Sequence, residues 1–120
     1  MNRARALIAD DHADTLVLLA GLLEDEFDVV GSVTSGDELV TAAEALDPDV
    51  IVSDIAMPGV DGLTAANSIL QRDPAARIIL VTVHDDVVIA RRALAIGALG
   101  YVLKSVGGAE VVTGVHAALR

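Results

Sequence analysis

The stretch Val50-Ile51-Val52-Ser53-Asp54 governs how the rest of the chain is read. Three β-branched residues and a serine run without a break into a carboxylate, directly after the turn signal Asp47-Pro48-Asp49. A short apolar segment bounded in this way is a strand covered on both faces, as parallel sheets require. Arg77-Ile78-Ile79-Leu80-Val81-Thr82 repeats the pattern after Asp73-Pro74 and again ends on a polar side chain. Residues 4–9, 27–33 and 100–103 bring the apolar runs to five, and the second, which alternates more, belongs at a sheet edge.

Between the runs the period changes to that of a helix. Leu16, Leu19, Ala20 and Leu23 recur on one face, and Ser35-Gly36-Asp37-Glu38 is a Ser-x-x-Glu capping box ahead of Leu39, Val40, Ala43 and Leu46. Asp47-Pro48 and Asp73-Pro74 stop the second and third helices. Asp85-Asp86 opens the fourth, Gly97 ends it, and Gly107-Gly108 opens the fifth without a side-chain cap. Strands alternating with helices predict one α/β domain over residues 1–120, built on a parallel sheet.

Composition narrows the function. Of 120 residues, 53 % are hydrophobic and 22 % charged, enough to build a core without help. With 0 cysteines the chain has no disulfide framework, thiolate metal site or cysteine nucleophile. A formal charge of −10 opposes binding to a polyanion, and an aromatic content of 2 %, Phe27 and Tyr101, leaves no stacking surface. No nucleic acid is therefore expected to bind this domain alone. The longest apolar stretch, residues 16–23, is far short of the ~20 residues of a membrane span, and residues 1–5 lead straight into a strand. A soluble cytoplasmic protein without a membrane partner is the expectation.

The out-of-pattern polar residues share a location. Asp10 and Asp11 follow the first strand, Asp54 follows the third, Thr82 ends the fourth and Lys104 follows the fifth, so all sit at strand carboxyl ends. Ligands bind at that edge of an open parallel sheet, and a 2-1-3-4-5 strand order would set strands one and three side by side. Asp10, Asp11 and Asp54 would then converge. Carboxylates about 5 Å apart repel by roughly 3 kcal/mol per pair at an effective dielectric of 20, so the cluster calls for a counter-charge. All-oxygen donors favour Mg²⁺, and Lys104 adds a positive charge from the far side. Such a pocket tolerates an incoming phosphoryl group, and the chemistry implied is phosphoryl transfer to a carboxylate.

These residues resemble the receiver domains of two-component response regulators, which have a flavodoxin-like (βα)5 fold with strand order 2-1-3-4-5 and helices on both faces. The resemblance covers the whole chain. It is carried by Leu7-Ile8-Ala9-Asp10-Asp11-His12, by Asp54 with Met57-Pro58-Gly59, by Asp61-Gly62, by Thr82 and by Gly100-Tyr101-Val102-Leu103-Lys104. The Asp-Asp-His start and the Gly-Tyr-Val-Leu-Lys-Ser string are most similar to the NarL/FixJ subfamily. The resemblance implies that Asp54 accepts phosphate from a sensor histidine kinase. It makes Asp11 the direct Mg²⁺ ligand alongside Asp54, with Asp10 acting through water and Ala56 contributing its backbone carbonyl. Lys104 and Thr82 would contact phosphate oxygens. Tyr101 would act with Thr82 as the switch, read out on the face of the fourth helix, fifth strand and fifth helix, with a phosphorylation-dependent homodimer as one output. The subfamily usually adds a helix-turn-helix domain, so transcriptional control is expected only of a longer parent protein.

Departures from the family pattern carry expectations of their own. Ser105 stands where proline often follows the lysine, which leaves the cis or trans state of the 104–105 bond open. Ala56 and His84 flank the path of a hydrolytic water, and Ala56 cannot orient one, so self-dephosphorylation is expected to be slow. Val83 is larger than the alanine often found beside the threonine and would hinder the switch. Plainer roles compete for several positions: Asp10 or Asp11 as a cap of the first helix, His12, His84 and His116 as solvated histidines, and Arg91-Arg92 as a solvated face. The enzyme alternative is a Mg²⁺-dependent aspartate-nucleophile phosphohydrolase of the haloacid dehalogenase type. It wants an acid two residues beyond the nucleophile, where this chain has Ala56.

Overall fold

The computed structural model describes residues 3–83, 85–104 and 108–120. In chain order the elements are β1 (Arg5–Ala9), α1 (Ala13–Glu24), β2 (Asp28–Val33), α2 (Gly36–Leu46), β3 (Val50–Asp54), α3 (Gly62–Arg72), β4 (Ile78–Thr82), α4 (Val87–Ala95), β5 (Gly100–Leu103) and α5 (Gly108–Leu119). The strands pair in parallel in the order β2-β1-β3-β4-β5. Both β3 and β4 are buried along their whole length, as their unbroken apolar runs demand, whereas β2 is the partly exposed edge its alternation predicts.

Alternation along the strands divides the core into two layers. Leu7, Ala9, Ile51, Ile78 and Leu80 pack with residues of α2, α3 and α4, including Leu39, Ile69, Leu70 and Ala93. Ala6, Ile8, Val50, Val52, Ile79 and Val81 pack on the opposite face with Leu19 and Leu23 of α1 and Val111, Val115 and Ala118 of α5. Right-handed crossovers put α1 on one face and α2, α3 and α4 on the other, since connections before and after the reversal of strand order fall on opposite faces.

The helix ends follow the signals read from sequence. Ser35 caps α2 by accepting from the Glu38 N–H, and Asp61 and Asp86 cap α3 and α4. The capping box at α2 is displaced by one residue: Glu38 Oε1 takes the Thr34 N–H at 3.0 Å and the Thr34 hydroxyl at 2.8 Å, which holds the Glu38 carboxyl below its usual value. Asp47 ends α2 in the left-handed region at φ 47°, and its carbonyl together with that of Leu46 accepts from Arg5 Nη1. Gly97 follows α4 with φ 106°. The expectations about His84, about the 104–105 bond and about the part of Gly107 in opening α5 fall on residues outside those described.

Candidate functional site

The parity that sorts the core also aims the charged side chains. Asp10 lies two residues past Ile8, Asp54 two past Val52 and Lys104 two past Val102, and all three apolar residues pack on the α1/α5 layer. Because β1 and β3 are neighbours, Asp10 and Asp54 emerge side by side at the carboxyl edge of the sheet. Thr82 lies two past Leu80, which pairs in register with Tyr101, so Thr82 and Tyr101 belong to the other layer.

Backbone packing holds Asp54 in place. The Ser53 hydroxyl donates to the Asp54 carbonyl at 2.8 Å, and the Gly62 N–H donates to the Ile55 carbonyl at 2.7 Å. A Cβ on Gly62 would sit 1.8 Å from the Asp54 carbonyl oxygen, so the start of α3 can approach β3 this closely only as glycine. Met57 is buried and anchors the intervening loop, while Ala56 is left exposed beside Asp54.

Lys104 Nζ joins the two buried acids, at 2.5 Å from Asp10 Oδ2 and 3.2 Å from Asp54 Oδ2. Asp10 is fully buried, and its second oxygen accepts the His12 N–H at 2.9 Å. Both of its oxygens thus have protein donors. Burial pushes the Asp54 carboxyl above its usual 3.8; Lys104 opposes that rise and Asp10 adds to it. Burial pulls on the Lys104 ammonium in the neutralising direction, but the hydrogen bond it donates to Asp10 and the charge of Asp54 outweigh it and leave its pKa above the usual 10.5.

Asp11, Asp54, Ala56, Thr82, Val83 and Lys104 share the wall of one open depression of about 390 Å³. The structure therefore brings together the predicted acids, the lysine and the threonine; Asp10 forms the floor through Lys104, and Tyr101 lies one strand away, half-buried against the α3/α4 layer. Neither Asp10 nor Asp11 caps α1: the N-cap is His12, which makes no side-chain capping bond.

His12 is the residue that the sequence left as a solvated histidine. Its ring is 71 % exposed, yet Nδ1 lies 3.0 Å from Asp11 Oδ1 and 3.3 Å from Asp10 Oδ1. One donor atom from each of Asp10, Asp11, His12 and Asp54 falls within 4.8 Å of the others. The only available signal was adjacency in Asp10-Asp11-His12. This donor group fits a hard divalent cation: carboxylate oxygens dominate, and three acids against one lysine leave a formal surplus of two negative charges.

A doubly wound parallel sheet with an acid cluster and a lysine at the carboxyl ends of its strands is the architecture of a signalling receiver. The chain belongs to the response regulator receiver domain family, which it matches over residues 6–116. Its relatives are regulators of the NarL/FixJ type. Response regulator GacA of Pseudomonas viridiflava is 36 % identical over 114 residues, covering 93 % of this chain and 53 % of GacA. The chain thus spans about half the length of the curated relatives it matches. A LuxR-family two-component response regulator from Aurantimonas sp. SI85-9A1 superposes with a TM-score of 0.94 at 34 % identity, covering 98 % of this chain and 86 % of that one. The isolated receiver domain of RcsB from Salmonella enterica serovar Typhimurium, solved in the presence of the phosphomimetic BeF3⁻, gives a TM-score of 0.88 at 28 % identity over 96 % of this chain and 87 % of that one.

The phosphohydrolase alternative lacks its second acid. Asp47-Pro48-Asp49 has the required spacing but lies before β3, where Asp49 Oδ2 accepts the Arg5 N–H at 2.7 Å. Among the described residues no helix is long and apolar enough to cross a membrane.

Proposed function

We propose that this domain is a phosphorylation-dependent switch in which Asp54 receives a phosphoryl group from a sensor histidine kinase. The observation that carries the reading is the buried Asp54 carboxylate at the end of β3, sharing one lysine ammonium with Asp10. An Asp54 oxygen attacks phosphorus, the bond from phosphorus to the kinase imidazole nitrogen breaks, and the electron pair leaves with that nitrogen. The product is an acyl phosphate on Asp54.

Each neighbour has a task in that step. Lys104, held protonated by its two acids, supplies an ammonium that can turn from the Asp54 oxygen to a phosphoryl oxygen. The exposed edge of the depression admits the donor, and Thr82 presents its hydroxyl to a second phosphoryl oxygen. Asp11 and Asp54 would hold Mg²⁺ directly, with the Ala56 carbonyl, while Asp10, engaged on both oxygens, acts through water. When bound, Mg²⁺ supplies positive charge that offsets the repulsion between the acids and the phosphoryl oxygens.

The switch follows from the sheet. Thr82 and Tyr101 occupy the same face of adjacent strands, Tyr101 pairing with Leu80 two residues before Thr82, so a pull on Thr82 would reach the core layer against which Tyr101 packs. A hydrogen bond to a charged group contributes only about 1.5–3 kcal/mol, which makes the response a shift in populations. Exposed Val87, Val88 and Leu94 give α4 an apolar face for the output, including a phosphorylation-dependent homodimer. In a whole regulator that output would drive a DNA-binding domain in the cytoplasm. Intact-mass measurement after treatment with acetyl phosphate and Mg²⁺ tests the claim: wild type gains one phosphoryl group and Asp54→Ala gains none. Equal labelling of both proteins defeats it.

A further inference from the structure

Among the described residues the buried polar side chains are Asp10, Ser53, Asp54 and Thr82, and only Ser53 has no task in phosphoryl transfer to Asp54. We infer that Ser53 is a positioning residue for that reaction: its hydroxyl fixes the backbone of Asp54, and with it the direction in which the carboxylate leaves the chain. This rests on the phosphoacceptor role proposed for Asp54. Ser53 is fully buried, and its Oγ donates to the Asp54 carbonyl oxygen at 2.8 Å. The bond runs from the side chain of one residue to the main chain of the next, so it closes a small ring that contains the nitrogen, Cα and carbonyl carbon of Asp54. Both soft backbone dihedrals of Asp54 lie in that ring, and they set where its side chain points.

The surroundings of Ser53 argue against a role as filler. It pairs in register with Ala9 of β1 and Leu80 of β4, and both pack in the apolar layer against α2, α3 and α4. A hydroxyl buried among such residues is a cost unless it makes a hydrogen bond, whereas a need for a small side chain alone would be met by alanine. The carbonyl that Ser53 holds is also the one that Gly62 covers, where a Cβ would come within 1.8 Å of the oxygen. The main chain of Asp54 is thus held from its own strand and from the start of α3, while its carboxylate reaches Lys104 on the other side of the sheet. Attack in line on phosphorus needs that carboxylate within a narrow range of positions, and a misplacement of about 1 Å can cost about a hundredfold in rate.

The test compares Ser53→Ala, Ser53→Thr and Ser53→Val with wild type in phosphorylation by acetyl phosphate and Mg²⁺, followed by intact mass, with the ¹³C resonance of the Asp54 carbonyl measured on the unphosphorylated chain. Threonine and valine nearly match in shape and differ in the hydroxyl, so packing affects the two alike. Ser53→Ala should lower the maximal rate constant by about tenfold or more, leave the half-saturating concentration of acetyl phosphate within about twofold, and move the carbonyl resonance. Ser53→Thr should react at least about fivefold faster than Ser53→Val and keep the carbonyl resonance in its wild-type place. A wild-type rate in Ser53→Ala, or equal rates in the threonine and valine variants, overturns the inference and leaves Asp54 as the acceptor. If wild type itself gains no phosphoryl group, the reading of Asp54 fails and this inference fails with it.

Discussion

Replacing Lys104 by methionine keeps the length of the side chain and removes the one cation shared by Asp10 and Asp54. Coulomb's law at an effective dielectric of about 20 gives roughly 7 kcal/mol for the contact at 2.5 Å and roughly 5 kcal/mol for that at 3.2 Å, before any desolvation is counted. Burying the ammonium offsets much of this, and removing one partner of a buried pair costs about 3–5 kcal/mol in practice. Against the ~5–15 kcal/mol that holds a domain of this size, the loss is large enough to measure without abolishing folding outright. It should also depend on pH. The Asp54 carboxyl already lies above 3.8 in the fold because it is buried, and without Lys104 it must lie higher still. A carboxyl raised in the folded state contributes its stability below the unfolded value and loses it as pH rises through the folded one. The gap between wild type and Lys104→Met should therefore widen from about pH 4 toward neutrality, as Asp54 in the variant is forced to ionise. Urea unfolding followed by circular dichroism, in buffer with chelator, measures it. A destabilisation under about 1 kcal/mol at neutral pH, or one that does not change with pH, refutes the assignment of Lys104 as the buried counter-charge.

Four further perturbations test other parts of the argument. Asp54→Asn should raise the melting temperature at neutral pH, because the amide avoids ionising a buried carboxyl, and the gain should close as pH falls below the usual carboxylate value; a lower melting temperature at neutral pH contradicts this. Asp47→Gly should stabilise by about 0.5–1 kcal/mol in urea unfolding, since it removes a left-handed β-carbon at φ 47° and keeps the carbonyl that Arg5 binds; destabilisation would show that the αL conformation carries no strain. Gly62→Ala should cost about 3 kcal/mol or more and slow phosphorylation by acetyl phosphate, because its new methyl would meet the Asp54 carbonyl; wild-type values for both remove the packing argument. Ala56→Asn should shorten the acyl-phosphate lifetime by giving a hydrolytic water a polar partner beside Asp54, and an unchanged lifetime excludes that role.

What the sequence disclosed, and what it withheld, has a physical pattern. The strands were legible because Val50-Ile51-Val52 and Ile78-Ile79-Leu80-Val81 are buried on both faces and so carry no polar residue to blur their limits. The same period of two fixes which side each terminal polar residue takes, so the meeting of Asp10, Asp54 and Lys104 needed only the strand order to be added. Loop residues have no such period. His12 follows the last strand residue by three, where alternation no longer dictates direction, and its turn toward Asp10 and Asp11 depends on α1 starting at Ala13 without a side-chain cap. Glu38 shows the same limit: the Ser-x-x-Glu spacing gave the helix start, but which N–H the glutamate reaches depends on the path of Thr34 into it. Periodic elements therefore locate Asp54 and its counter-charge. The irregular residues between them decide what else lines the pocket, and in this chain the residue so placed is an imidazole rather than another oxygen donor.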